Sequence, residues 1–239
     1  YNINYVNGSL TVNAAPLTVT ASSDSKNYNG VSYSGGNGVS YSGFVNGESA
    51  TDLGGALTYS GTSQSAINAG TYAITPSGLT STNYVITNVS GTLTVNKVNA
   101  TVTAASDTYT YNGLARSASG FTVTGLVNGE NTAVLTGVSV SGGGTNAGTY
   151  TTTASGSDTN YNLSFVDGTM TINKAALTVT AANASKTYNG LSYSGGNGVT
   201  YAGFVNSETS AVLGGAVSYS GTSQTAVNAG TYVITPSGL

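Results

Sequence analysis

The stretch Leu17-Thr18-Val19-Thr20-Ala21 decides the fold. Leu, Val and Ala alternate with two Thr, so an extended chain carries its apolar groups on one face and hydroxyls on the other. That is the period of a half-buried β-strand. The same alternation returns at Leu93-Thr94-Val95, Met170-Thr171-Ile172 and Leu177-Thr178-Val179-Thr180, and around Tyr72 and Ile74. Further strands are predicted at 31–34, 39–42, 56–60 and 84–89, with equivalents later in the chain. Roughly seven short strands per ~80 residues is the density of a small β-sandwich. Asn7-Gly8, Asn29-Gly30, Gly35-Gly36-Asn37-Gly38 and Asn128-Gly129 supply turn residues that tolerate positive φ. Helix signals are confined to Ser49–Leu53 and Asn131–Leu135, one capped turn each. The fold class expected is all-β, a tandem array of small Ig-like β-sandwich modules in an extended rod. A β-grasp-like module is the alternative, although it would need a longer helix.

Working outward, the strands belong to a repeat. Tyr-Asn-Gly stands at 28–30, 111–113 and 188–190, and Asn-Ala-Gly-Thr-Tyr at 68–72, 146–150 and 228–232. A closing motif, Gly-[Ser/Thr]-[Leu/Met]-Thr-[Val/Ile]-Asn, stands at 8–13, 91–96 and 168–173. The units are therefore 14–96 (A), 97–173 (B, diverged) and 174–239 (A′, lacking its closing strands), with 1–13 as the closing strands of a preceding unit. Residues 16–79 align without gaps to 176–239, with 46 of 64 positions identical. The phase of the repeats reads as an excerpt from a longer repetitive polypeptide. A rival reading has residues 1–13 completing the open third unit of a neighbouring molecule as a donated strand. At Lys97-Val98-Asn99 and Lys174-Ala175-Ala176 one unit runs into the next without a Gly/Ser spacer. Joints so short limit bending, and three units of ~30 Å would span ~90–100 Å.

Composition narrows the chemistry. The 239 residues include 5 Lys+Arg and 8 Asp+Glu, for a net charge of −3, with no His and no Cys. Five scattered cations offer no basic face for nucleic acid, and no stretch approaches the length of a membrane span. Without His or Cys the commonest general base, thiolate nucleophiles and the usual transition-metal ligands are gone, so an enzyme is not expected. Val, Leu, Ile and Phe total 48 residues, a lean core, which 17 Tyr supplement with aromatic bulk.

The Leu-Thr-Val-Thr-Ala opening, Ser185-Lys186-Thr187-Tyr188-Asn189-Gly190, Gly203-Phe204-Val205-Asn206-Ser207-Glu208, Thr235-Pro236-Ser237-Gly238-Leu239 and the Gly-Thr-Leu-Thr-Val closing strand together resemble the MBG/YDG class of bacterial surface repeats. Such repeats occur in tandem in very large secreted adhesins, including filamentous-haemagglutinin-like proteins. The resemblance covers all three units and implies an extracellular location on the bacterial surface and a stalk or fibre role in cell–cell or surface attachment. The middle unit departs from the pattern, with Thr153-Ala154-Ser155-Gly156 for Thr-Pro-Ser-Gly and Tyr109 where the others have Lys26 and Lys186.

Glu48, Glu130 and Glu208 share one repeat position, but catalysis needs a second group, and the candidate, Asp52, becomes Val212 in the third unit. The expected role is a carboxylate accepting backbone N–H bonds in a turn. Eight dispersed acids make no calcium cage; single sites near Asp24 or Asp167 lack support, and no metal or cofactor is expected. Lys26 and Lys186 sit among polar neighbours and read as solvated. Tyr28, Tyr72, Tyr111, Tyr150, Tyr188 and Tyr232 recur in register, as core or turn anchors would. Tyr33, Tyr41, Tyr59, Tyr193, Tyr201 and Tyr219 are the candidates for stacking on sugars. The partners expected are neighbouring repeats of the same chain, further copies through self-association into fibres, and surface glycans, with no nucleic acid and no membrane insertion.

Overall fold

The computed structural model describes residues 1–239. The first repeat forms seven strands: β1 (Ala15–Ala21), β2 (Asp24–Asn27), β3 (Val39–Ser42), β4 (Gly54–Ser60), β5 (Gly70–Thr80), β6 (Tyr84–Val89) and β7 (Gly91–Asn96). They build a three-stranded sheet in the order β3-β1-β6 and a four-stranded sheet in the order β2-β7-β5-β4. β1 pairs antiparallel with β3, placing Val19 opposite Tyr41, and parallel with β6, placing Leu17 opposite Ile86. β2 pairs parallel with β7, and β5 runs antiparallel to both β7 and β4.

Two segments, β1–β2 and β6–β7, serve both sheets. β1 and β2 are separated by Ser22-Ser23, β6 and β7 by Ser90 alone, so both segments leave one sheet at a corner and enter the other. Ser23 Oγ accepts from Thr92 N at 3.0 Å across the corner, as Ser106 Oγ does from Thr169 N in the second repeat. The backbones approach so closely here that a Cβ at Gly91 would lie 2.5 Å from the Ala21 carbonyl oxygen. A Cβ at Gly168 would meet the Ala104 and Ala105 oxygens at 2.4 Å. The glycine that begins the closing motif is a packing requirement of the corner.

The alternation seen in the sequence becomes the core. Leu17, Val19 and Tyr84 are buried together, with Val39, Tyr41, Phe44, Leu53 and Ile86 around them and Leu79 of β5 packed on from the second sheet. Burial of Leu17 and Val19 contributes about 1.5–3 kcal/mol each. In the second sheet Ile74, Leu93 and Val95 are buried. The predicted turns are single 3₁₀ turns at Ala50–Asp52 and Thr132–Val134, the first closed by a capping box between Ser49 and Asp52.

One predicted strand is absent. Residues 31–34 form no strand; Tyr33 N donates to Ala66 O at 2.9 Å and Tyr33 O accepts from Ser65 N at 2.8 Å. One strand escaped prediction: β2, Asp24-Ser25-Lys26-Asn27, has no apolar residue and is extended because β7 offers it an edge.

The second repeat follows as β8 (Val98–Ala104), β9 (Asp107–Thr110), β10 (Arg116–Ser117), β11 (Phe121–Thr124), β12 (Val138–Ser141), β13 (Gly143–Gly144), β14 (Gly148–Gly156), β15 (Tyr161–Val166) and β16 (Gly168–Asn173). Its main sheets, β11-β8-β15 and β12-β14-β16-β9, reproduce the first repeat's orders. The third contributes β17 (Thr178–Ala181), β18 (Val199–Ala202), β19 (Ser218–Ser220) and β20 (Thr235–Ser237), as the pairs β17-β18 and β19-β20. Two compact units result. One comprises Tyr1–Val102, Thr122–Val138 and Ser155–Phe165; the other comprises Thr103–Phe121, Ser139–Ala154 and Val166–Leu239.

Candidate functional site at the repeat joints

The Tyr-Asn-Gly turn extends the β2–β7 pairing by one bond, Tyr28 N donating to Asn96 O at 2.8 Å. Asn29 Oδ1 accepts from Val31 N at 3.1 Å, and Gly30 takes φ +67° to close the turn. Lys26, expected to be solvated, donates from Nζ to Val31 O at 2.6 Å, and Lys186 makes the same bond to Leu191 O at 2.5 Å. In the middle repeat Tyr109 replaces this lysine, and the Arg116 guanidinium lies 4.7 Å above its ring.

The glutamates occupy a second turn, in which Glu48 N, Glu130 N and Glu208 N donate to the carbonyls of Val45, Val127 and Val205. The preceding Asn46, Asn128 and Asn206 have φ of 54°, 54° and 50°. Their carboxylates do not serve backbone N–H groups, as the sequence led us to expect. They accept phenols. Tyr28 Oη donates to Glu130 Oε1 at 2.5 Å across 102 residues, and Tyr161 Oη donates to Glu130 Oε2. The Tyr28 and Tyr161 rings meet edge to face, centroids 5.5 Å apart. Each charge-assisted bond contributes about 1.5–3 kcal/mol and the ring pair about 0.5–1.5 kcal/mol.

Further contacts fasten this joint. Asn160 accepts from Ala69 N at 2.8 Å and donates to Asn68 Oδ1 at 3.1 Å, while Lys97 Nζ donates to Asp158 O at 2.7 Å. The joint between the second and third repeats uses the same parts: Tyr111 Oη donates to Glu208 Oε1, and Asn206 Nδ2 donates to Gly113 O at 3.2 Å. A Cβ at Gly113 would lie 2.5 Å from Asn206 Cβ, and one at Gly30 would lie 2.9 Å from Asn128 Nδ2. The Tyr-Asn-Gly glycine therefore serves both the turn and the neighbouring repeat.

Burial first, and then the Glu130 carboxylate, push the Tyr28 and Tyr161 phenols up to about 12. The hydrogen bond to Glu208 raises Tyr111, and that to Glu48 raises Tyr84. Asp52, the imagined catalytic partner, accepts from Ser49 N at 2.8 Å. No group of three or more acidic, His or Cys side chains gathers anywhere.

The six candidate sugar-stacking tyrosines are half-buried within their own repeats. Tyr33 Oη donates to Asp24 Oδ2 at 2.9 Å, and burial with that bond raises its pKa to about 12. Tyr41 and Tyr201 pack against Phe44 and Phe204, centroids 5.5 Å apart in each pair. Tyr59 and Tyr219 accept from Gly38 N and Gly198 N at 3.1 Å, their rings covering Gly36 and Gly196. Tyr193 is held through backbone bonds to Thr225 and Ala226.

The family model of the MBG domain (YGX type) matches residues 17–94, 100–171 and 177–239. The chain belongs to the MBG domain family. No curated protein matches it. Each MBG repeat carries both halves of the clasp, a tyrosine on the Tyr-Asn-Gly turn and a glutamate on the Val-Asn-x-Glu turn. Sequence reading noted that both recur but paired neither. The overlooked signal was that the two motifs keep their places even in the middle MBG repeat, where the lysine and proline motifs change.

Proposed function

We propose that this tandem MBG region is a structural stalk of a large secreted adhesin on a bacterial surface, giving reach to attachment sites elsewhere in the polypeptide. The observation that carries the reading is the tyrosine–glutamate clasp, present at both joints with the same residue types. A phenol–carboxylate bond across each joint, joined at the first by the Tyr28–Tyr161 ring pair, resists hinge motion, where a Gly/Ser linker would permit it. Low charge and abundant Ser, Thr and Asn suit a surface that stays solvated between attachment points. No helix is long and apolar enough to cross a membrane.

Small-angle scattering, extrapolated to zero concentration, tests the proposal. A stiff rod of ~90–100 Å has a radius of gyration of ~28 Å, against ~18 Å for a compact globule of this length. Combined Tyr28→Ala and Tyr111→Ala should keep the β signal in circular dichroism but broaden the distance distribution. A wild-type value near the globule's, or a double variant as stiff as wild type, refutes the stalk.

A further inference from the structure

The opening and closing segments of the first repeat run side by side in the same direction. Six positions of β1 pair parallel with β6, from Ala15 opposite Tyr84 to Thr20 opposite Val89. Four of β2 pair parallel with β7, from Asp24 opposite Leu93 to Asn27 opposite Asn96. Backbone bonds extend the ladder at both ends, Ala15 N donating to Asn83 O at 2.9 Å and Tyr28 N to Asn96 O at 2.8 Å. Between the two stretches the segments turn the corner together, tied by the bond from Thr92 N to Ser23 Oγ. The middle repeat has the same pairs: β8 lies beside β15 and β9 runs parallel to β16, with end bonds from Val98 N to Asn160 O and from Tyr111 N to Asn173 O.

The direction of this pairing decides how a repeat meets tension. The chain enters at the start of β1 and leaves at the end of β7, which are opposite ends of one parallel ladder. A pull along the polypeptide therefore slides the two segments past each other and loads every bond of the ladder at once. An antiparallel closing segment would bring entry and exit to one end, where the bonds open singly. Leu17, Val19, Leu93 and Val95, all on the ladder, are at most 2% exposed, so their face of each sheet keeps water from a stretched bond. The first joint adds no slack. β7 ends at Asn96 and β8 begins at Val98, with Lys97 alone between them. The other member of the ladder is continued by the clasp: Tyr28, one residue beyond β2, donates to Glu130, which also holds Tyr161, the first residue of β15.

We propose that the first repeat, and the middle one by the same pairing, is a mechanical clamp that carries tension along the polypeptide by holding its opening and closing segments in shear. Tension on the chain rests on the stalk reading; the assignment of the bonds that bear it goes beyond that reading.

The chain has no cysteine, so two introduced thiols define the points of pull. Single-molecule force spectroscopy on the 239-residue chain compares two double variants. Ala14→Cys with Asn96→Cys pulls at opposite ends of the ladder, and Ala14→Cys with Thr82→Cys pulls at one end; all three residues are exposed. Thermal melting checks that the two variants are equally stable, so that a difference in force reports direction alone. The opposite-end pair should yield in one event, at a force at least ~2-fold above that of the one-end pair, because forced unfolding follows the barrier along the path pulled. The released length, up to ~3.6 Å per residue between the thiols, identifies each event as the first repeat. Equal forces in the two directions, or a higher force for the one-end pair, overturn the proposal. Scattering keeps the two readings apart: a stiff rod with equal forces loses the clamp alone, and a flexible chain with the directional difference refutes the stalk alone.

Discussion

Removing a single oxygen tests the clasp. Tyr28→Phe keeps the ring, which is 6% exposed and packed edge-on against Tyr161, and deletes the hydroxyl that reaches Glu130 Oε1. The bond is to a charged acceptor, so the expected loss is about 1.5–3 kcal/mol. Glu130 keeps its bond from Tyr161, which limits the desolvation penalty of the freed oxygen and favours the lower end of that range. For a chain of this size ~1.5 kcal/mol lowers the melting temperature by about 3–6 °C. Tyr188→Phe, made in the same 239-residue chain, is the internal control: the same motif and an exposed ring, with no clasp partner within residues 1–239, so its change should stay within about 0.5 kcal/mol.

The decisive assay is a double-mutant cycle between Tyr28→Phe and Glu130→Gln, read by urea denaturation at matched ionic strength. Gln retains an acceptor oxygen and loses the charge, so the single change weakens the bond without emptying the joint. Coupling of about 1 kcal/mol or more is expected, as for residues in direct contact. Hydrogen exchange should show the loss at Tyr28–Val31 and Val127–Glu130 before it reaches the β1 core. If the two substitutions add within about 0.3 kcal/mol, or if Tyr188→Phe costs as much as Tyr28→Phe, the phenol–carboxylate bond does not hold the joint.

Two further predictions concern the same residues. Gly113→Ala and Gly190→Ala impose the same left-handed strain, φ +75° and +76°, costing about 1–2 kcal/mol, but only the former presses a Cβ onto a neighbouring repeat. Calorimetry should find Gly113→Ala the more damaging by ~1 kcal/mol or more, and equal losses would show that the glycine serves its turn alone. At alkaline pH, Tyr28, Tyr33 and Tyr161 hold their protons to about 12 in the folded chain, above the ordinary 10.0. The folded chain thus binds more protons between those values, so this stabilisation is complete below about pH 10 and disappears as pH rises through about 12. Tyrosinate absorbance should show a late-titrating class that merges with the rest in urea; one transition near 10 under native conditions would refute it.

The strands were legible because their signal is local. Thr on one face and Leu or Val on the other is written into consecutive residues, and β1, β3, β6 and β7 lie where that alternation predicts. The failures have a common cause. β2 is polar throughout and is extended only because β7, about seventy residues on, presents an edge. Residues 31–34 have alternating apolar groups, yet their backbone bonds go to the 63–66 turn. The clasp is more remote still, because nothing near Glu130 announces that its acceptors will meet a phenol 102 residues earlier. Its trace was positional: a tyrosine and a glutamate returning at the same phase in each repeat.

That positional rule has a structural consequence. A contact between successive copies of one module must draw its two halves from different places in the module, since the surface a repeat offers forward is not the one it offers back. The Tyr-Asn-Gly turn is the forward half and the Val-Asn-x-Glu turn the backward half, and every repeat carries both. The carboxylate is suited to this duty because it has two acceptor oxygens. In Glu130 one takes the phenol of its own repeat and the other the phenol of the repeat before. Closure of a repeat by its last strands and attachment to its predecessor thus converge on one side chain. In the repeat that has received its closing tyrosine, the glutamate is therefore held by a bond of its own module while it takes the phenol of the module behind it.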